Sequence, residues 1–202
     1  MKKILTVAAM LLSFSAFSQE DYVIKINDST FNIALDKSYN KNINGANVSF
    51  IVRSKDTLIY EGNGYSFKYP KAFKVSETKV DDGITQIAIM TAEGSGIIIQ
   101  QYETLNPTSL NEMMLTEITK ESISYGFTQT EIEYKVKLQS GKELNVKKAT
   151  LRYKDEVNIY EITSVGKKDA GLIIMSLRMD NDDYTEGKKL IDLMWQTLKI
   201  NY

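Results

Sequence analysis

The stretch "GYSFKYPKAF", Gly64–Phe73, decides where the main sheet of this chain begins. Tyr65, Phe67 and Tyr69 alternate with smaller or charged residues, so their rings share one face of a predicted strand. Pro70 follows at once, and it has no backbone N–H to donate to a neighbouring strand. The stretch therefore predicts a strand that is buried on one face and ends at a proline, where the chain turns outward.

The composition is that of an ordinary globular protein. The chain has 202 residues, of which 43% are hydrophobic and 25% charged, and its formal net charge is −1. This length accommodates one domain, or one domain with a small appendage. The basic residues are scattered in pairs rather than gathered in a block, so no nucleic-acid partner is predicted.

The N-terminus has the pattern of a secretory signal peptide. Lys2 and Lys3 precede the apolar run Ile4–Leu12, which is too short to span a bilayer. Ala16 and Ser18 supply small residues at the −3 and −1 positions, so cleavage is expected between Ser18 and the glutamine that follows it. An uncleaved anchor or a core helix is the alternative for residues 1–18. The mature product is expected to be soluble and exported, either to the periplasm or to the exterior.

Two residue types are absent from the whole chain, cysteine and histidine. Their absence excludes disulfides, a lipid-anchored N-terminal cysteine, Ser-His-Asp triads and ordinary zinc sites. No later segment reaches the ~20 apolar residues of a membrane helix, so the mature chain is not expected to span a membrane. The sequence thus predicts no catalytic residue, no cofactor and no metal ligand.

Residues 19–61 are predicted to form an N-terminal β extension. Tyr22–Ile26 and Thr30–Leu35 look like one pair of strands, and Val48–Val52 with Thr57–Glu61 like a second pair. Asn44-Gly45, in the polar segment between the two pairs, is a good tight-turn dipeptide. The main domain is expected to begin at residue 62 and to run to residue 202.

The first half of the main domain reads as strands followed by a helix. Ile84–Thr91 and Gly96–Tyr102 are apolar runs joined by a hairpin turn, which is typical of strands that are covered on both faces. A helix is expected after Pro107, with Ser109 and Glu112 as a capping box.

The second half reads as an antiparallel meander and a last helix. Alternation along Glu131–Leu138 predicts a strand with one solvated face, and a change of phase near Lys147-Lys148 predicts a β-bulge. Asp183 and Glu186 resemble a capping pair, and an apolar stripe follows them. The predicted fold class is α+β, an antiparallel sheet flanked by helices. The predicted stripe comprises Gly187, Ile191, Met194, Trp195 and Leu198.

The order of these elements resembles that of a known family. The strand "GYSFKYP", the strand "GSGIIIQ", a midchain helix, a meander and the last helix "LIDLMWQTLKI" are together similar to the PsbP-like α/β/α sandwich, which PsbP shares with the Mog-one protein. The resemblance covers residues 62–202. It implies that Pro70 ends the first sheet strand, that Phe73 folds back onto the core, and that the Trp195 face of the last helix packs on the sheet.

The same resemblance bears on function. Members of this family mostly act as binding or auxiliary modules, and they offer no functional residue to transfer to this chain. The chain also resembles uncharacterised exported proteins of Bacteroidetes-type bacteria in its composition. The shared features are Gln19 at the cleavage point and an abundance of Asn, Lys and Ile.

Three groups of residues invite a functional interpretation, and each has a simpler structural one. Asp180–Asp183 could hold calcium, although a strand-to-helix turn explains it better. The charged face of Glu131, Glu133, Lys135 and Lys137 could dock a partner, although a solvated strand face is the more usual cause. Several tyrosines and methionines could line a ligand groove, although they follow the periodicity of a core. They are Tyr125, Tyr134, Tyr153, Tyr160, Met113, Met114, Met175, Met179 and Met194.

These observations favour an exported, non-enzymatic binding or accessory module that docks an unidentified protein of the cell envelope. The alternative is a carrier that holds a small apolar or amphipathic ligand between sheet and helix. A carboxylate-based hydrolase is a third class, because carboxylate pairs survive the exclusion of histidine and cysteine.

Overall fold

A computed structural model describes residues 22–179 and 184–201. The predicted signal peptide and the Asp180–Asp183 cluster lie outside these residues. The chain divides into two compact units between Ser54 and Lys55, called here the N-terminal unit and the main unit. The predicted boundary after Glu61 lies within a strand of the main unit, so the structure places the division earlier.

The N-terminal unit is built from two antiparallel hairpins. The first has a buried end at Ile33, which is 0% exposed. In the second, the rings of Tyr39 and Phe50 stack with centroids 5.7 Å apart. The strands of this unit are β1 (Tyr22–Ile26), β2 (Ser29–Ile33), β3 (Ser38–Ile43) and β4 (Ala46–Ile51).

The predicted pairing of Val48–Val52 with Thr57–Glu61 is wrong. β4 pairs instead with β3, a strand that the sequence hides because its residues are mostly polar. The turn between them is the predicted Asn44-Gly45, and both residues adopt positive φ angles, of 51° and 83°. This geometry suits a two-residue hairpin loop and explains why asparagine and glycine stand there.

The main unit contains the remaining strands and the helices of the described chain. The two helices are α1 (Asn111–Ser124) and α2 (Glu186–Thr197), and a 3₁₀ turn at Pro107–Ser109 precedes α1. The strands are β5 (Thr57–Gly62), β6 (Tyr65–Pro70), β7 (Ser76–Asp81), β8 (Ile84–Met90), β9 (Gly96–Tyr102), β10 (Thr128–Lys137), β11 (Glu143–Tyr153), β12 (Glu156–Lys167), β13 (Ala170–Arg178) and β14 (Lys199–Ile200).

In the part of the chain that the structure describes, seven strands of the main unit form one antiparallel sheet in the order β10-β11-β12-β13-β9-β8-β7. The predicted apolar strands β8 and β9 pair directly, and the turn between them closes with a hydrogen bond from Thr91 N to Ser95 O of 2.8 Å. The predicted α+β class, an antiparallel sheet flanked by helices, is confirmed.

The opening stretch lies in a smaller sheet of order β14-β6-β5. Tyr65 and Phe67 are 2% and 1% exposed, and Pro70 is the last residue of β6. Beyond the proline, Phe73 donates its N–H to Pro70 O and its ring packs against the core. The features that the family resemblance implied for Pro70 and Phe73 are therefore present, although β6 is not part of the seven-stranded sheet.

The two helices cover opposite faces of the seven-stranded sheet. Alternate residues of β13 show this, because Leu172 and Ile174 belong to the core that includes α2, whereas Ile173 and Met175 belong to the core that includes α1. β6 lies on the α2 side, where its aromatic residues join the same core. The arrangement is a layered α/β/α unit with a hydrophobic core on each face of the sheet.

The predicted β-bulge at Lys147-Lys148 is wrong. The pairing of β10 with β11 runs without a break through both residues. The change of phase has another cause, because Leu144 packs into the α2-side core while Ala149 and Leu151 pack into the α1-side core. One straight strand is therefore buried first on one face and then on the other.

The predicted capping box of Ser109 and Glu112 is also wrong. Asn106 caps the 3₁₀ turn instead, with its side chain accepting from Thr108 N at 3.1 Å, and α1 has no side-chain cap. At α2 the cap is Thr185, whose hydroxyl accepts from Lys188 N at 3.3 Å. The predicted cap Asp183 lies outside the described residues.

Replacement of Phe67 tests the role of the opening stretch. Phe67→Ala is expected to lower the free energy of unfolding of the main unit by about 3–5 kcal/mol, because a fully buried ring is removed from the α2-side core. Ile59→Ala on neighbouring β5 is the control, since Ile59 is 56% exposed, and we expect a loss of no more than about 0.5 kcal/mol. Urea unfolding followed by tryptophan emission measures both, and equal losses would contradict this assignment.

Candidate functional site

A cleft of about 330 Å³ lies between α2 and the α2-side face of the seven-stranded sheet, and we call it the α2 cleft. Its floor comes from strands β10 to β13, and its wall comes from Ile191 and Trp195 of the helix. Gly187, the second residue of α2, lies against the buried Ser95, where an added Cβ would collide with the serine side chain. This close approach seats the start of α2 on the turn between β8 and β9.

Strand register places the polar residues of the cleft floor side by side. Lys148 of β11 pairs with Glu161 of β12, and Glu161 pairs in turn with Ser176 of β13. Residues directly opposite on antiparallel strands point to the same face, with Cβ atoms about 5 Å apart. A lysine, a glutamate and a serine therefore form one row across the floor.

The carboxylate of Glu161 accepts two hydrogen bonds from neutral groups. The Tyr134 hydroxyl donates to one oxygen at 2.7 Å, and the Ser176 hydroxyl donates to the other at 3.0 Å. Burial raises the pKa of Tyr134, and the hydrogen bond to Glu161 and the negative charge of that carboxylate raise it further. Tyr134 thus stays protonated and continues to donate its hydrogen bond to the Glu161 carboxylate.

The helix side of the cleft carries its own ion pair. Lys188 Nζ lies 2.6 Å from the carboxylate of Asp192 one turn later, and both side chains are partly buried. Beside this pair, Ile191 and Trp195 present apolar surface, and Val136 and Ile159 continue it on the sheet. The α2 cleft is therefore an apolar pocket with charged groups at its margin.

Two side-chain hydrogen-bond donors of the cleft have no acceptor among the described residues. Lys148 is half-buried, and its ammonium group forms no ion pair or hydrogen bond with any residue in 22–179 or 184–201. The indole N–H of Trp195 is buried and likewise finds no acceptor within those ranges. Both carboxylates that line the described cleft already have donors. The unmet polar capacity of the cleft consists of donors.

The predicted tyrosine and methionine groove is not assembled as one site. Of its members, Tyr134 lines the α2 cleft. Tyr160, Met114, Met175 and Met179 pack in the α1-side core and Met194 in the α2-side core, as core packing requires. Tyr125, Met113 and Tyr153 are exposed, at 70%, 58% and 37%.

The charged face of β10 is a solvated edge. All four of its residues are exposed, and β10 pairs with β11 alone in the described chain. Glu133 and Lys135 make ion pairs of 3.6 Å with Lys147 and Glu143 on β11. Charges along an edge strand hinder the addition of a further strand, so this face suits solvent better than a docked partner.

Sequence reasoning did not single out Lys148 or Glu161, and it placed Trp195 only in a core stripe. Two signals pointed to them. The change of phase at Lys147-Lys148 marks the place where β11 passes from one core to the other. Trp195 is the chain's single tryptophan, and it stands next to the fully buried Met194 rather than at the centre of the stripe.

Neither metal clusters nor membrane-spanning helices were found among the described residues. Within 22–179 and 184–201, no three acidic residues lie close enough together to hold a metal ion. Over the same ranges, no helix is long and apolar enough to cross a membrane.

Comparisons with known proteins give a likeness in structure. The solution structure of cyanobacterial PsbP from Synechocystis matches with a TM-score of 0.45 and 12% identity, over 72% of this chain and 92% of that one. A crystal structure from Bacteroides thetaiotaomicron matches with a TM-score of 0.38 and 10% identity, over 73% of this chain and 50% of that one. The resemblance predicted from the sequence is thus confirmed as a likeness.

No protein-family model matches the chain. No curated protein matches it either.

The hydrogen bond between Tyr134 and Glu161 makes stability depend on pH. Tyr134→Phe is expected to lower the free energy of unfolding by about 1–2 kcal/mol at neutral pH, since Glu161 loses a donor. The folded-state pKa of Tyr134 lies above its ordinary value of 10.0. Its contribution is therefore complete below pH 10.0 and is lost as the pH rises further. The difference between wild type and variant should shrink above that pH.

Tyr125→Phe is the control, because this tyrosine is 70% exposed, and it should leave stability unchanged at every pH. Chemical unfolding over a series of pH values gives the difference. A wild-type advantage that stays constant or grows above pH 10.0 would show that the phenol is not held protonated by Glu161.

Proposed function

We propose that this chain is an exported, non-catalytic binding module that carries a small amphipathic ligand in the α2 cleft. The observation that carries the proposal is the cleft itself, a cavity of about 330 Å³ between sheet and helix with Trp195 on its wall. Ligand pockets have volumes of about 300–1,000 Å³ and are mostly apolar with a few placed polar groups. The α2 cleft has the size and the lining for a small member of that class.

The mixed lining supports an amphipathic rather than a purely apolar ligand. Val136, Ile159, Ile191 and the ring of Trp195 offer contact to a hydrocarbon body. Lys148 and the Lys188–Asp192 pair lie at the same cavity. A ligand with a polar end would place its head group beside these charged side chains and would give Lys148 a partner.

The chemistry of the cleft supports binding without catalysis. The chain lacks histidine and cysteine, so a carboxylate would have to serve as base or nucleophile. Both oxygens of Glu161 accept hydrogen bonds from hydroxyl groups, and Asp192 is paired with Lys188. This arrangement favours the carrier over the carboxylate-based hydrolase. Export follows from the signal-peptide pattern and stays a prediction.

Docking of an envelope protein also stays a prediction. The strand face considered for it, on β10, is solvated and charged along its edge. Immobilised mature chain, residues 19–202, can be exposed to detergent-solubilised envelope of its source. Retention of one protein in proportion to the bait, with no lipid or other small molecule, would favour docking over the carrier function.

The emission of Trp195 reports ligand binding directly, since the chain has no other tryptophan. Titration with 1-octanol, an uncharged amphiphile, is expected to give a saturable change in this emission. Ile159→Ala should weaken binding by about tenfold, because it removes hydrocarbon from the cleft wall. Ile59→Ala is the matched control, since Ile59 is 56% exposed on β5 and lies outside the cleft lining.

Native mass spectrometry of protein purified without detergent gives a second readout. A small molecule that leaves on denaturation is the expected result for wild type and Ile59→Ala. An unsaturable response to 1-octanol together with a ligand-free mass would overturn the carrier function.

A further inference from the structure

The α2 cleft has a polarity that points to one kind of head group. Its lining includes three cationic side chains, Lys148, Arg178 and Lys188, against the two carboxylates Glu161 and Asp192. The carboxylates are engaged, Asp192 with Lys188 and Glu161 with two hydroxyl groups. The formal charges of these five described side chains sum to +1, three positive against two negative.

Lys148 is the cation of the cleft that can still bind an anionic group. It is half-buried on the floor of the cleft, and its ammonium group has no hydrogen-bond or ion-pair partner within 22–179 or 184–201. Its neighbour Lys147 points to the opposite face, where it pairs with Glu112 and Glu133. Of two adjacent lysines, the one outside the cleft is thus neutralised by protein and the one inside is not.

The Lys148 ammonium group is not among the buried side-chain atoms without a partner, so water reaches it, and a charged acceptor would replace that water with a stronger hydrogen bond. The register partner Glu161 does not supply one, because Lys148 Nζ lies beyond ion-pair distance of it. The Tyr134 and Ser176 hydroxyls hold the glutamate in place. A ligand with an acidic head group would form an ion pair with Lys148 on the floor of the cleft.

We infer that the α2 cleft binds amphipathic acids, with a carboxylate or phosphate group held by Lys148 and a hydrocarbon body held against Ile159 and Trp195. This inference rests on the proposed carrier function and adds the sign of the ligand's charge and the residue that selects it. Arg178 and Lys188 line the same cavity, but Lys188 is paired with Asp192 and Arg178 makes an interaction of its own, so recognition of the acid is assigned to Lys148.

Four probes that share the same eight-carbon alkyl group but differ in head group separate recognition of the head group from binding of the alkyl group. Octanoate, octyl phosphate, 1-octanol and octylammonium are titrated against the full mature protein, and Trp195 emission is followed. We expect octanoate or octyl phosphate to bind about tenfold more tightly than 1-octanol, and octylammonium to bind most weakly. Whichever acid binds more tightly identifies the head group as carboxylate or phosphate.

Variants of the two adjacent lysines assign the effect to one residue. Lys148→Met should weaken binding of the preferred acid by about tenfold and leave 1-octanol binding unchanged, whereas Lys148→Arg should restore most of the loss. Lys147→Met is the matched control and should not change binding of the acid, because its side chain lies on the other face of the sheet. Circular dichroism confirms that each variant is folded.

Each other outcome has a definite meaning. If 1-octanol binds in the cleft as tightly as the acids, or octylammonium binds more tightly, the inferred head group is wrong while the carrier function stands. If Lys148→Met and Lys147→Met weaken acid binding equally, the assignment to Lys148 is wrong. If none of the four probes binds, the carrier function fails and the inference fails with it.

Discussion

The packing of α2 against the aromatic residues of β6 is the constraint on which the binding site depends. Leu190 and Met194 are completely buried in the core that also contains Tyr65 and Phe67. Since a helix side chain cannot move far when its neighbours are fixed, burial of Met194 fixes the place of the adjacent Trp195. The wall of the α2 cleft is therefore set by a core that the opening stretch helps to build.

The floor of the cleft depends on a different constraint, the satisfaction of buried polar groups. The carboxylate of Glu161 on β12 is held in place because Tyr134 on β10 and Ser176 on β13 both donate hydrogen bonds to it. An unpartnered carboxylate at this position would cost stability, and the two donors remove that cost. Lys148, the neighbour of Glu161, has no such side-chain partner among the described residues. The cleft therefore contains a cation that is free to bind an acidic group.

Much of the fold was predictable because alternation and turn chemistry are local. The strand around Phe67 followed from alternation and those around Ile87 and Ile99 from continuous apolar runs. The Asn44-Gly45 turn followed from the preference of that dipeptide for tight turns. β3, β7 and β14 were missed because β3 is mostly polar, β7 is exposed along its whole length and β14 has two residues. The cleft was not predictable, since its row of Lys148, Glu161 and Ser176 exists only once three strands are in register.

The position of a bound ligand is the most direct test of the account. Isotope-filtered nuclear Overhauser spectra of labelled protein with unlabelled octanoate would locate the alkyl chain. We expect contacts from the methyl end of octanoate to the indole protons of Trp195 and to Ile159, with the protons next to the carboxylate near Lys148. Contacts confined to exposed residues such as Tyr125 or Ile59, with none to Trp195, would contradict this binding mode.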